Sequence, residues 1–423
     1  MSVISLPELP VEVLVNIFIH LQIGDLRNVM LTCKTFRSLV LHDTTIWKNL
    51  SRGKLIIQRS SNTSKRNLPI SPYHNYRDSH NWRYGIYKHE AILKHNENYM
   101  PWIQCEGEKY LLVTVGSVLK CVSLENRSHY ILWKLDVPKV LRGDIRTNDI
   151  SRFILKNNIL ACGNRDGCVA VYRVNNIREK PTLLKHIEDC HEDGAVEVSA
   201  VEVINKHLPC VITASSNSQQ LKFWHWECND AGYDARDITL FESVGLRCLA
   251  VDEAQERVAV GPNGSDQPVI LDVETGAQLT TPASQLNLKR AVRDVQWRDA
   301  STVVWVTHSG LLQYLDVRTD RVVYKVTDPF QCSLYCVKTD GRNAIVVGSS
   351  EYSRCVLFDI RNAASHVQMY FTQKKCSPIY SLDFDTSTLI AAADRSVTAL
   401  RFNNNTKWAT VRDYSQTFEV VRR

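Results

Sequence analysis

The densest run of side chains able to bind a metal or move a proton is His186-Ile187-Glu188-Asp189-Cys190-His191-Glu192-Asp193. Imidazole, thiolate and carboxylate are the donors zinc takes, but zinc sites use spaced ligand pairs. The thirteen cysteines contain no Cys-x-x-Cys; the tightest spacings are Cys332 with Cys336 and Cys162 with Cys168, both inside strand-like segments. Scattered, odd-numbered thiols of this kind fit buried free cysteines in a reducing compartment. The His186–Asp193 run lies between two strand-like segments and reads as a surface loop. Asp299, His308 and Ser309 lack the pattern of a catalytic triad, and no Gly-x-x-x-x-Gly-Lys-[Ser/Thr] phosphate loop occurs. The expectation is a chain without catalysis, cofactor or metal, so its chemistry is recognition.

The elements that would position recognising side chains fall into two patterns. The first fifty residues are helical. Pro10 suits a first helical turn, where its missing N–H is not needed, and Glu12 favours the positive helix end. Leu14, Ile17, Phe18 and Leu21 follow the i, i+3, i+4, i+7 rule of one buried face, with Val11, Val15 and Ile19 as a second stripe. Asp25 is placed to cap a second helix carrying Leu26, Val29, Met30 and Cys33. A third starts near Asp43 and buries Ile46, Trp47 and Leu50. A unit of this size cannot hide every one of these side chains, and apolar surface left over marks an interaction site.

The second pattern starts near Tyr99. Leu334-Tyr335-Cys336-Val337-Lys338-Thr339-Asp340 matches Ile379-Tyr380-Ser381-Leu382-Asp383-Phe384-Asp385 at an offset of 45. Third strands ending at Ser123, Arg173, His225, Asp272, Asp316, Asp359 and Arg401 recur at intervals of 50, 52, 47, 44, 43 and 42 residues. Seven units near the 40–45-residue period of a propeller blade follow. Each sheet buries two faces by stacking radially on its neighbours. Leu221 and Phe223 are expected on one face of their sheet, Trp224 and Trp226 on the other. Trp-Asp and Gly-His dipeptides are absent, although Cys190-His191 stands where the latter would fall. Side-chain networks are therefore expected to be weakest in blades one, two, three and seven.

Between the two patterns, residues 52–94 hold nine Lys/Arg against two acids, with Ser60-Ser61-Asn62-Thr63-Ser64, Pro69 and Pro72. This segment reads as a solvated basic connector. It has too few aromatics among its basic residues for nucleic-acid binding to be expected. No apolar run is long enough for a membrane span, and the N-terminus lacks the pattern of a secretory signal, so a cytoplasmic or nuclear place is expected. The expected architecture is mainly β: a seven-bladed WD-repeat β-propeller over 99–423, preceded by a small α-helical domain over 1–51 and a basic, partly helical connector over 52–98.

The helical segment resembles the F-box in Leu9-Pro10-Val11-Glu12, the helix that follows, Asp25-Leu26, Leu31-Thr32-Cys33-Lys34 with Phe36, and the closing Trp47. F-box followed by WD-like blades resembles the F-box/WD-repeat proteins. Asn81-Trp82, Met100-Pro101-Trp102-Ile103-Gln104 and Ser333 to Ser350 look like the dactylin group among them. The resemblance implies a non-catalytic substrate receptor of a Skp–cullin–F-box ubiquitin ligase. It implies docking on the Skp adaptor, and through it a cullin–RING ligase, by Leu9, Pro10, Leu14, Ile17, Phe18, Leu21, Leu26 and Leu31. Neither a RING nor a catalytic-cysteine domain is recognisable in this chain. Propellers bind partners through the loops of one face, where Arg165, Arg247, Arg293, Tyr352 and Arg395 are the candidate substrate-binding residues, arginine being suited to acidic or phosphorylated peptides. The alternative is a propeller scaffold with no ligase role, its helices a structural cap.

Overall fold

Short polar turns between apolar runs of about six residues force this chain into antiparallel meanders, each too small to bury both its faces alone. The computed structural model describes residues 5–58, 70–125, 129–143, 147–206, 209–226, 232–241, 243–280, 287 and 289–404. The serine-rich stretch Ser60 to Ser64 and the end of the propeller range, 405–423, lie outside them. Seven sheets stand around one axis. Their inner strands are Ile103–Glu106, Ile150–Lys156, Ala200–Asn205, Gly245–Val251, Val292–Asp299, Leu334–Thr339 and Ile379–Phe384. The second strands Thr302–Thr307, Ala344–Ser349 and Thr388–Ala393 are buried at every position. All seven third strands fall where the repeat period puts them. Leu221 and Phe223 enter the core between blades three and four, and Trp224 and Trp226 the core between blades two and three.

Lys88–Lys94 corrects the connector boundary. It pairs antiparallel with Ser396–Arg401, from Lys88 opposite Arg401 to Lys94 opposite Ser396, and is the outer strand of blade seven. The ring is thus closed by a strand that precedes blade one in sequence. Arg401 Nε meets Glu90 Oε2 at 2.6 Å across this seam. Blade four has three strands among the described residues, with Leu279 N–H donating to Ile270 O beside the third.

Blade three corrects a second expectation. His191 Nε2 lies 2.9 Å from Thr213 Oγ1, and Trp224 Nε1 donates to the same oxygen at 2.9 Å. The network forms although His225 replaces the aspartate, because its histidine comes from the connection before the blade. The His186–Asp193 run therefore has one end in the core. Asp272, Asp316 and Asp359 instead accept from backbone N–H groups of the turns that follow them. Blade six buries an ion pair, Arg354 Nη2 to Asp328 Oδ2 at 2.6 Å, with Phe330 stacked on the guanidinium at 4.1 Å.

The helical domain holds α1 (Val11–Phe18), α2 (Ile23–Thr32), α3 (Lys34–His42) and α4 (Thr44–Ser51). Helix α2 starts before Asp25, which lies in its first turn and does not cap it. Extended backbone at Cys33 separates α2 from α3, dividing what the apolar pattern reads as one helix. Asp43 caps α4, accepting from Thr45 N–H at 2.8 Å and Ile46 N–H at 3.1 Å. Phe18 meets Phe36 edge-on at 5.3 Å, and Trp47 Nε1 donates to Val40 O.

Where solvated connector was expected, α5 (Pro72–Arg83) is packed along most of its length. Ser71 caps it and Pro72 opens it. Its first turns place Tyr73 and Tyr76, each 5.3 Å from the Trp47 ring, in the core of the helical domain. Its last turn drives Trp82 into blade seven. That indole is wholly buried, stacked on Phe402 at 3.9 Å and edge-on to Tyr370 at 5.4 Å. Trp82 Nε1 donates to Thr386 O at 3.0 Å, and Asn81 Nδ2 to Phe402 O at 2.6 Å. Gln58 N–H, ahead of α5, donates to Asp340 in blade six. The contacts with Thr386, Phe402 and Asp340 are made at the end of the ring carrying the turns between first and second strands, here the lower face. No helix among the described residues is long and apolar enough to cross a membrane.

Trp82→Ala should cost about 3–5 kcal/mol, as truncation of a buried tryptophan does, read as a lower urea midpoint of the full chain. Burial pushes the His191 imidazole down to about 3, the Lys222 charge adding to it. A histidine depressed in the folded state takes its proton only on unfolding, so its contribution is present above its unfolded pKa and lost as pH falls from about 6.5. Lowering the pH from 6.5 to 5.5 should remove about 1 kcal/mol through this residue, and urea melts of His191→Gln should lack that increment.

Candidate functional site

The candidate residues fall on two surfaces at opposite ends of the molecule. The first is on α1 and α2. Leu14, Phe18 and Leu26 are buried, and Leu9 and Leu21 pack partly against the same core. Ile17 is 39% exposed, Leu31 84%, and Pro10, Val11 and Val13 are also on the outside. Val13 and Ile17, four residues apart, share one side of α1. The eight residues of the sequence reading thus divide: Pro10, Ile17 and Leu31 can touch a partner, Leu9 and Leu21 in part, while Leu14, Phe18 and Leu26 support them from below.

The second surface is the upper face, where the inner strands begin and the connections between blades run. Register shifts mark β-bulges in five inner strands, between Ile150 and Arg152, Leu246 and Cys248, Val292 and Asp294, Leu334 and Cys336, and Ile379 and Ser381. Each leaves one residue unpaired: Ser151, Arg247, Arg293, Tyr335 and Tyr380. A bulge bends the strand and re-aims the extra side chain. The two serines at the start of blades two and three serve the frame. Ser151 Oγ donates to Gly163 O and to Val198 O, and Ser199 Oγ to Leu246 O at 2.8 Å. From blade four to blade seven the bulged side chains are long and half-buried, and they form an arc: the Arg293 guanidinium lies 4.8 Å over Tyr335, whose ring is 6.1 Å from that of Tyr380.

Arg247 Nε donates to Asn263 Oδ1 at 3.2 Å, and Arg293 Nη2 lies 3.1 Å from His308 Nδ1. Burial and then the neighbouring Arg293 charge lower the Arg247 pKa, and burial lowers that of Arg293. His308 is held low by burial and by the same two arginines, which favours the neutral imidazole. Just below, Arg152 of blade two crosses the axis to Asp294 of blade five, Nη1 to Oδ1 at 3.1 Å, with its guanidinium 4.0 Å over Trp102 of blade one. Asp294 Oδ2 also accepts from Val337 N–H at 3.0 Å. One aspartate thereby joins blades two, five and six.

The structure puts Arg247 and Arg293 in adjacent bulges. Arg165 stands in the turn between the second and third strands of blade two, its Nη2 2.8 Å from Met100 Sδ, and its charge reaches Tyr380. Tyr352 is buried edge-on against Phe330, and Arg395 is exposed and donates to Asn98 Oδ1 at 2.6 Å. Tyr335, Tyr380, Arg152, Asp294 and His308 were missed by the sequence reading. The offset of 45 that aligns Tyr335 with Tyr380 carried part of the signal; the upstream bulges, Arg293 and Arg247, stand at steps of 42 and 46 and needed the strand register.

Residues 6–53 match the family model described as F-box-like. Over 417 residues, 95% of this chain and 94% of that protein, the sequence is 24% identical to F-box/WD repeat-containing protein 4 of Mus musculus. It is 23% identical over 417 residues to the Homo sapiens protein of the same name, 95% of this chain and 93% of that one. The chain is thus similar over nearly its whole length to proteins that carry an F-box and WD repeats. The likeness runs through both the helical domain and the ring, so α5 and the closing strand lie within the shared region.

Removing one partner of a buried ion pair leaves the other charge uncompensated, at about 3–5 kcal/mol. Asp294→Ala, which strands Arg152 and the Val337 amide, should lower the unfolding free energy in urea melts accordingly, whereas exposed Arg395→Ala should leave it within about 0.5 kcal/mol of the parent.

Proposed function

We propose that this chain is the substrate-recognition subunit of a Skp–cullin–F-box ubiquitin ligase. Its F-box helices dock on the Skp adaptor, its propeller holds a protein substrate, and ubiquitin transfer is carried out by enzymes recruited elsewhere in the assembly. One observation carries the reading. Helices of F-box type keep Pro10, Val11, Val13, Ile17 and Leu31 uncovered after α5 has completed their core. An apolar patch left open on a finished domain fits a partner surface. The placement of the two surfaces supports the same reading. The helices are fixed to the lower face by Trp82 and Gln58, and the upper face is left free for a substrate. Such a receptor contributes to rate by positioning, raising the local concentration of substrate lysines near the ubiquitin donor.

The closure of the helical core by Tyr73 and Tyr76 favours one competing reading, a scaffold whose helices are a structural cap. Capture from cells separates the two. The intact chain should bring down a Skp adaptor and a cullin. Ile17→Glu with Leu31→Glu should reduce that capture by about thirtyfold, the effect of losing a contact worth 2 kcal/mol, with the melting temperature unchanged. Capture of no adaptor, or capture indifferent to these two exposed positions, would make the cap reading the correct one. Phe18→Ala is a poor probe, because that ring is core.

A further inference from the structure

At the joint between the helical domain and α5, three cations meet with no carboxylate among the described residues to pair them. Lys54, just past the end of α4, reaches over α5: its Nζ donates to Tyr76 Oη at 3.0 Å and lies 5.5 Å from the Tyr76 ring. Arg83, in the last turn of α5, has its guanidinium 5.8 Å from that ring and 6.0 Å from the ring of Tyr84. Arg27 approaches from α2. His80, one turn after Tyr76, is within reach of all three charges, its ring 4.5 Å from that of Tyr84. Burial and then the Arg83 charge lower the His80 pKa, a side-chain hydrogen bond with Asn81 raises it, and Arg27 and Lys54 add to the lowering. Every charge acting on this imidazole is thus positive. The carboxylate on the same helix, Asp78, is committed to Arg77.

Hydrogen-bonding capacity is left over at the same place. Arg83 Nε donates to Ser79 O at 3.2 Å, but its Nη2 is buried without a partner, and so is His80 Nδ1. The negative end of α5 does not balance the charge. It amounts to about half a unit, and its last carbonyls are taken: Trp82 O accepts from Tyr370 Oη at 2.7 Å and Arg83 O from Gln368 Nε2 at 3.2 Å. Like charges gathered without a counter-charge repel one another, and an anion seated among them removes that repulsion. The cluster is open to solvent, with Lys54 and Tyr84 exposed and Arg27 and Arg83 half-buried.

Three positive groups from three elements match a compact ligand with three or more negative charges. A single carboxylate would neutralise one of them. An acidic peptide spreads its charges along an extended chain at about 3.3 Å per residue, and a nucleic acid engages cations set along a track. A phosphoanhydride concentrates its charge, and arginine forks fit its oxygens. We propose that Arg27, Lys54 and Arg83 form a binding site for a small soluble polyphosphate, with Tyr84 at its edge. The bound anion ties α2, the segment after α4 and the last turn of α5 into one unit, at the helix end that Trp82 fixes to the ring. The inference is independent of the ligase reading and of any substrate on the upper face.

The test is isothermal titration calorimetry of the full chain at an ionic strength of about 0.15 M. Tripolyphosphate should bind at a single site, at least about tenfold more tightly than citrate, inorganic phosphate or a hexaglutamate peptide. Lys54→Gln and Arg27→Gln should each weaken it by about tenfold, with urea midpoints near the parent's to show that the variants fold. Lys94→Gln, an equal loss of charge from the exposed side of the closing strand, should change the affinity by no more than about twofold. No binding of tripolyphosphate, citrate or hexaglutamate binding as tightly, or an affinity indifferent to both Lys54→Gln and Arg27→Gln would overturn the proposal. So would retention on phosphatidylcholine vesicles carrying a bisphosphorylated inositol lipid in the absence of tripolyphosphate binding, which would assign the cluster to a membrane headgroup instead.

Discussion

The indole of Trp82, sealed between Phe402 and Tyr370, is the contact on which the relation between the two halves depends. One rigid helix carries it. The same α5 gives Tyr73 and Tyr76 to the helical core, so a single element is buried at both ends in different cores. A flexible connector would let the helical domain wander relative to the ring. A helix clamped at each end turns the ring's lower face into a fixed mount, and geometry imposed on one end is transmitted to the other.

At the opposite end the same economy is visible in the bulges. Each repeats at the start of an inner strand, and the residue type alone decides its role. In blade two the short hydroxyl of Ser151 ties one blade to the next; a long arginine or tyrosine at the equivalent place faces the mouth. The side chains at the mouth are therefore carried on a structural device that recurs around the ring. The cross-axis pair of Arg152 and Asp294 stiffens the floor beneath them.

Much of the ring was legible in the sequence because its signal is periodic. The third strands recur at intervals that any self-comparison finds, and the faces of Leu221, Phe223, Trp224 and Trp226 follow from strand alternation alone. The connector was misread for a physical reason. Its charge suggested water, but Arg77 and Asp78 neutralise one another in a buried pair, 2.7 Å apart, and the aromatic residues between them and the ends of the helix do the packing. The closing strand was missed because its partner lies more than 300 residues away in the chain, a pairing that no local pattern encodes. The doubt over blade three arose from judging a network by one missing aspartate, when the hydroxyl of Thr213 is its hub. At the mouth, the arginines stood out by type, while the tyrosines and the Arg152–Asp294 pair needed the register.

The seam formed by Lys88–Lys94 and Ser396–Arg401 carries a consequence for how the molecule is made. The helical domain leaves the ribosome first, yet the aromatic pocket that receives Trp82 is completed by Phe402, among the last described residues to be synthesised. Until then α5 has one bound end and one loose end, and the closing strand presents an unpaired edge. Long-range pairings of this kind form slowly. Orientation of the two halves is thus a late event of biogenesis, and a nascent chain or a truncated product lacking blade seven would carry intact F-box helices with no fixed direction to point them.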